Sequence, residues 1–496
     1  MKFTCARIFS DNMVLQRNQE IPVRGSGTPG AEVTVEFNGA VVTGKVAENG
    51  IWIVKLPAMD KRGALTLTAK SEGETITFQN VVLGEVWLAG GQSNMEFEMY
   101  KAKGGFADSA NSYDPDLRYY QVEMVENNDT RHILKRPCPD GWVVAGPDVA
   151  QEFSAVGYYF AKRLREDLGD VPVGIVGNSW GGTSASCWLS EEKLRADPDF
   201  AVYFTDYEKQ CEGRTQAEYM QAKKEYDAKV AAYEAKLTHL RETYKVEEEW
   251  RANYKQLETT YPWPPPMGDH CFMRPCGLYE TLIKYPAPYG VRGAIWYQGE
   301  GDASQTLAPM YAKLLKNVMD EWKKDYMSPD MYVGVVQLTS YGTDEEDAWG
   351  IVRTQQEKMA VEDGRGAFCV TYDVGEPDNI HPIEKRTVGY RLADQILVKT
   401  YGKDLDVAYA EIADSKAENG TITLKVTQPL VANDDAKGFQ ILADGKWSWV
   451  KGKADAESIT LFADKAEAVR YAYTTWTDAN VYQKNGIPVK PFLKKL

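Results

Sequence analysis

From Val81 to about Gly402 the sequence alternates almost unbroken apolar runs with amphipathic stretches, and few folds accommodate that texture. VVLGEVWLA, VPVGIVGNS, VRGAIWYQGE, MYVGVVQL and AFCVTYDVG have no polar face to offer water. Between them VGYYFAKRLREDLG, MYAKLLKNVMDEWKKDY and TVGYRLADQILVKTYG repeat apolar residues at helical spacing. A strand that is apolar on both faces must be covered on both, as helices cover a parallel sheet. The expectation is an α/β domain over residues 83–404, with three layers around a parallel central sheet. In such a sheet a ligand lies beyond the carboxyl ends of the strands.

Two regions of different texture flank it. Residues 1–82 read as short alternating strands broken by turns such as Glu48-Asn49-Gly50, a β-sandwich-like module. Strand pattern returns over 405–496 as a C-terminal β module. Inside the α/β domain, residues 192–260 form a Glu-, Lys- and Tyr-rich insertion. Tyr219, Tyr226, Val230, Tyr233, Leu237 and Leu240 recur at intervals of three, four or seven and make one helical stripe. This arm packs on the body or on a second copy, as in a homodimer, or it walls the ligand pocket. Its closing YPWPPPMG is a stiff exit back to the domain.

Composition narrows the function. A net charge of -15 argues against nucleic-acid binding, which needs a basic surface. No apolar run reaches the length of a membrane span, and the N-terminus lacks a signal-peptide core, so a cytoplasmic protein is expected. Seven scattered cysteines without a C-x-x-C pair point to reduced thiols, neither a disulfide framework nor a zinc site.

Polar motifs stand where apolar strands end. VWLAGGQSNMEF runs from a buried strand through Gly90 and Gly91 to Gln92, Ser93 and Asn94. A serine hydroxyl is a weak nucleophile, so it needs a base, a group that orients the base, and donors for the oxyanion. Four histidines are available. His239 lies in the charged insertion, His132 in the solvated-looking RHILKR, and His270 in MGDHCFMRP. His381 follows the strand AFCVTYDV in a loop opened by Gly375 and Pro377, with Asp378 three residues before it. That spacing lets one loop present imidazole and carboxylate together, the carboxylate fixing the ring tautomer. Oxyanion donors are offered by the Ser93 amide at a helix start, by Gly181 and Gly182 in GNSWGGT, and by the Gln298 amide in WYQGE. Glu300 and Asp302 as a glycosidase pair would leave Ser93, His381 and the glycines unexplained.

GQSNM, WGGT, WYQGE and D-x-x-H, in that order, resemble the sialate O-acetylesterase branch of the SGNH-type serine esterases, over nearly the whole chain. The resemblance implies Ser93 as nucleophile, His381 as general base and then acid, Asp378 as its orienter, and an oxyanion hole from Ser93, Gly182 or Gly181, and Gln298. It implies removal of acetyl groups from sugar hydroxyls with neither metal nor cofactor. The wider superfamily carries asparagine where this chain has Gln298. Around the hole, Gln92, Asn94, Trp180, Trp296 and Glu300 are expected to contact the O-acetylated carbohydrate. Arg353 or Arg274 would meet a sialate carboxylate. Acetylated xylan is the alternative substrate, and a non-catalytic glycan-binding protein the alternative class.

Overall fold

The computed structural model describes residues 2–126, 139–342, 346–463 and 465–496, so His132 lies outside the described residues. The chain forms two compact units, residues 1–295 with 317–331, and residues 296–316 with 332–496.

The first unit opens with antiparallel strands. Ile21–Ser26 pairs with Ile51–Leu56, and Glu32–Phe37 pairs with both Ala40–Lys45 and Leu65–Ser71. Alternation decides which side faces the core: Trp52, Val54 and Leu56 are buried while Ile51 and Ile53 are exposed. Leu65–Ser71 then pairs antiparallel with Glu74–Gly91, an 18-residue strand with two characters. Its first seven residues alternate between exposed and half-buried. From Val81 onward every residue is buried, and that half pairs in parallel with Val173–Ser179. The strands follow the order Val143–Ala145, Asp114–Gln121, Val173–Ser179, Glu74–Gly91, with an antiparallel pair at the outer edge. Helix Ala155–Leu168 packs over them, Phe160 meeting Trp87 edge-on at 5.1 Å. The division expected at 82/83 thus falls inside one continuous strand, and nothing separates the β module from the strand that carries the serine.

A buried charge anchors this strand. Glu85 is fully buried and accepts from Arg17 Nε at 2.6 Å, Arg292 Nε at 2.7 Å and Gln16 Nε2 at 3.1 Å. A carboxylate persists in such a place only when its lone pairs are met.

The insertion is helical throughout: Glu191–Ala196, Ala201–Cys211, Gln216–Thr243 and Glu247–Glu258. Thr215 and Glu218 close a capping box on the longest helix. Along its predicted stripe Tyr219, Tyr233 and Leu237 are buried. Tyr233 and Leu237 cluster with Trp250 and Tyr100, and Trp250 meets Tyr100 edge-on at 5.3 Å. Arg251 donates to the Lys101 and Ala102 carbonyls. Tyr233 and Leu237 of the stripe are therefore spent on this chain's own body, on the segment just after the serine motif.

In the second unit Tyr332–Val336 and Gly366–Cys369 pair in parallel, with helices Ala348–Glu362 and Lys385–Tyr401 packed against them. The last strands, Ile412–Glu418 to Phe492–Lys495, form a seven-stranded antiparallel sheet. Helix Ala348–Glu362 docks on the chain at Tyr473 so closely that a Cβ on Gly350 would lie 1.8 Å from the Tyr473 carbonyl oxygen. The C-terminal sheet consequently shares one compact unit with part of the α/β region, and the division expected at 404/405 is not a boundary between units. No helix among the described residues is long and apolar enough to cross a membrane.

Candidate active site

The candidate residues fall on both units. In the first, Gly91 ends its strand at φ +132°, a conformation that favours glycine, and the chain turns into the short helix Ser93–Glu96. The parallel register sets Ser179 opposite Gly91, and the Trp180 N–H donates to the Gly91 carbonyl at 3.0 Å. The GGQSN and SWGG turns are thereby held side by side at the carboxyl ends of two neighbouring strands. A Cβ on Gly181 would lie 3.1 Å from Ser93 Cβ, so the absence of a side chain there is what lets the loop reach the serine. Ser93 is half-buried, while Gln92 and Asn94 beside it are buried.

The two glycines do different work. The Gly181 N–H, the expected alternative to Gly182 in the oxyanion hole, donates to Glu96 Oε2 at 2.5 Å. Gly182, at φ +81°, has no hydrogen-bond acceptor for its N–H among the described residues. Trp263, from the proline-rich exit of the insertion, lies against it: a Cβ on Gly182 would be 2.1 Å from Trp263 Cη2. The insertion therefore reaches the serine's neighbourhood through one aromatic ring.

Two further residues near this turn are buried. Trp180 is 4% exposed and stacked on Phe272 with ring centroids 4.5 Å apart, which removes one of its faces from any ligand. Asn178 is fully buried, and its side-chain amide has no partner among the described residues.

In the second unit the histidine loop is wound around a carboxylate. Glu376 accepts from the Ile383 N–H at 2.8 Å and from Asn379 Nδ2 at 3.1 Å, and Asn379 Oδ1 accepts from the His381 N–H at 2.9 Å. Asp378 is exposed and His381 half-buried on the same loop. Helix Lys385–Tyr401 follows at once. Its first residue is fully buried, with its amine 5.4 Å from the centre of the Tyr297 ring. Burial pushes the Lys385 amine from 10.5 down to about 7, against the opposing pull of Glu300 and Glu376.

Three other expected residues of this unit are fully buried and held by protein partners. Gln298 is fully buried, its Nε2 donating to Asp302 at 2.7 Å and its Oε1 accepting from Tyr311 at 2.8 Å. Trp296 is fully buried with its Nε1 on the Tyr311 hydroxyl, so it meets no substrate. Arg353 is also fully buried and spends its guanidinium on the carbonyls of Leu338, Thr339, Ala472, Thr474 and Thr475. Burial lowers its pKa to about 9, and it cannot reach a sialate carboxylate. Of the remaining histidines, His239 is exposed and His270 stacks beside Tyr219. The six described cysteines are free thiols.

Sequence reasoning missed Glu96, Glu376, Lys385 and Trp263. Glu96 carried no capping signal: the helix N-cap is Gln92, so Glu96 lies past N3, and its carboxylate meets the backbone of a distant loop.

A serine-bearing turn thus stands beside a glycine loop in one unit, and a histidine loop opens the last α/β helix in the other. Residues 270–398 match the family model described as a carbohydrate esterase, sialic acid-specific acetylesterase. The chain is an esterase. It is similar along its whole length to the sialate O-acetylesterases of Mus musculus, 25% identical with 100% of this chain and 94% of that one covered, and of Homo sapiens, 23% identical with 99% and 92% covered. The crystal structure of a carbohydrate acetylesterase from Xanthomonas citri matches 99% of each chain at 27% identity and a TM-score of 0.74.

Proposed function

We propose that this esterase removes acetyl groups from sugar hydroxyls through an acetyl-serine intermediate, on an SGNH-type scaffold of three layers. Ser93 Oγ attacks the acetyl carbonyl while His381 takes its proton and Asp378 holds the imidazole in the productive tautomer. The tetrahedral oxyanion is met by the N–H groups of Ser93 and Gly182. Ser93 stands in a first helical turn, whose amides have no intrahelical acceptor. The intermediate collapses, His381 protonates the departing sugar oxygen, and a water activated by the same imidazole releases acetate. The insertion walls the site through Trp263.

The observation that supports this reading is the strand register that brings Gly181 against Ser93, with the N–H of the next residue, Gly182, lacking an acceptor among the described residues. Sialate esters are the first substrate class to test, given the named relatives. Acetylated xylan-type glycans are the second, since Arg353 is unavailable to a sialate carboxylate. Acetate release is to be followed on a panel of 9-O-acetyl sialic acid and acetylated xylo-oligosaccharides. The reading predicts release from at least one, abolished by Ser93→Ala; no release from any acetylated sugar would refute it.

A further inference from the structure

The insertion and its proline exit enclose an open cleft of about 900 Å³ that nothing above assigns a role. Tyr226, Lys229, Tyr233 and Lys236 line it from one face of helix Gln216–Thr243, at successive spacings of three, four and three. Tyr261 and Trp263 line the opposite side. Tyr261 stands edge-on to Tyr233 at 5.0 Å, and Trp263 is 53% exposed, an unusual exposure for an indole that also touches Gly182 beside the serine. Lys229 and Lys236 are exposed and have no carboxylate partner among the described residues. With Arg214 they set three cations in the cleft against the single carboxylate of Glu225, in a chain whose net charge is -15.

We propose that this cleft is a glycan-chain subsite that receives the saccharide units beyond the acetylated one and favours a unit bearing a carboxylate. Aromatic faces suit the apolar faces of sugar rings, and a basic lining in an acidic protein selects anions. Trp263 is the stacking platform that joins the cleft to the reacting serine. The position relative to Ser93 rests on the esterase reading; the binding itself does not.

Unacetylated ligands separate the two claims, because they bind without turnover. Sialyllactose is compared with lactose, and a glucuronic acid-substituted xylo-oligosaccharide with its neutral parent, by calorimetry at low salt on the full chain. The acidic member of each pair should bind about tenfold more tightly, the gain from one or two exposed ion pairs. The preference should fall with added salt and vanish in Lys229→Glu/Lys236→Glu, whose thermal midpoint should match the unmodified protein. Trp263→Ala should weaken both members of each pair. Equal binding of acidic and neutral partners, or a preference that survives the double charge reversal, would overturn the proposal even if acetate release is confirmed. Failure of acetate release with the preference intact would overturn the esterase reading alone.

Discussion

The serine turn and the histidine loop are held by different means. The serine sits where two parallel strands end in register, between Gly91 and the Gly181 loop, and backbone geometry fixes it. The histidine sits on a loop with little regular structure, held by side-chain hydrogen bonds of Glu376 and Asn379. Under the proposed mechanism, one half of the chemistry is built into the sheet, whereas the other rests on a loop that removing one carboxylate should loosen.

Four substitutions press on that contrast. The largest effect is expected beneath the serine strand. Glu85→Ala leaves Arg17 and Arg292 facing a buried gap and should cost about 3 kcal/mol or more of stability by denaturant unfolding. Glu376→Ala removes two acceptor contacts from the histidine loop and should lower kcat by about 10²-fold, since misplacing a catalytic group by an ångström costs that much. Its thermal midpoint should stay close to that of the unmodified protein. Glu96→Gln keeps the shape but loses the charge-assisted bond to the Gly181 N–H. It should lower kcat by about tenfold, the loss of 1–2 kcal/mol, while KM is nearly unchanged. A comparable loss of kcat in Glu96→Gln and Glu376→Ala would erase the contrast.

The smallest effect at neutral pH concerns Lys385, which is read through the pH dependence of stability. Its amine falls from 10.5 to about 7 on folding. Between those values the unfolded chain holds a proton that the folded chain lacks, so stability rises with pH across the window and is lost as pH falls through 7. Unfolding free energies measured from pH 7 to 10 should climb for the natural chain. They should climb less for Lys385→Met.

Much of the scaffold is legible in the sequence because apolar continuity reports burial directly: every residue from Val81 to Gly91 is buried. The boundary at residue 82 was not legible, since a strand can change from one covered face to two without a turn to mark the place. Arg353 misleads for a related reason. It was expected to meet a sialate carboxylate, but three of its acceptors, the carbonyls of Ala472, Thr474 and Thr475, come from a segment more than a hundred positions away. Trp296 was read as a pocket wall because it stands near a strand end, where one residue of offset separates core from crevice. The Gly181 amide is taken by the carboxylate of Glu96, 85 positions earlier, a pairing that no local pattern announces. Trp263 was legible only as part of a stiff proline segment, because the glycine it covers is 81 positions earlier.

The central claim is that Ser93 is a nucleophile activated by His381. It is tested most directly by reacting the protein with a fluorophosphonate and locating the adduct by peptide mass spectrometry, in the natural chain and in His381→Ala. One adduct on Ser93, forming at least about 10³-fold more slowly without the imidazole, is the predicted result. An unlabelled Ser93, or labelling at the same rate in both proteins, would contradict it.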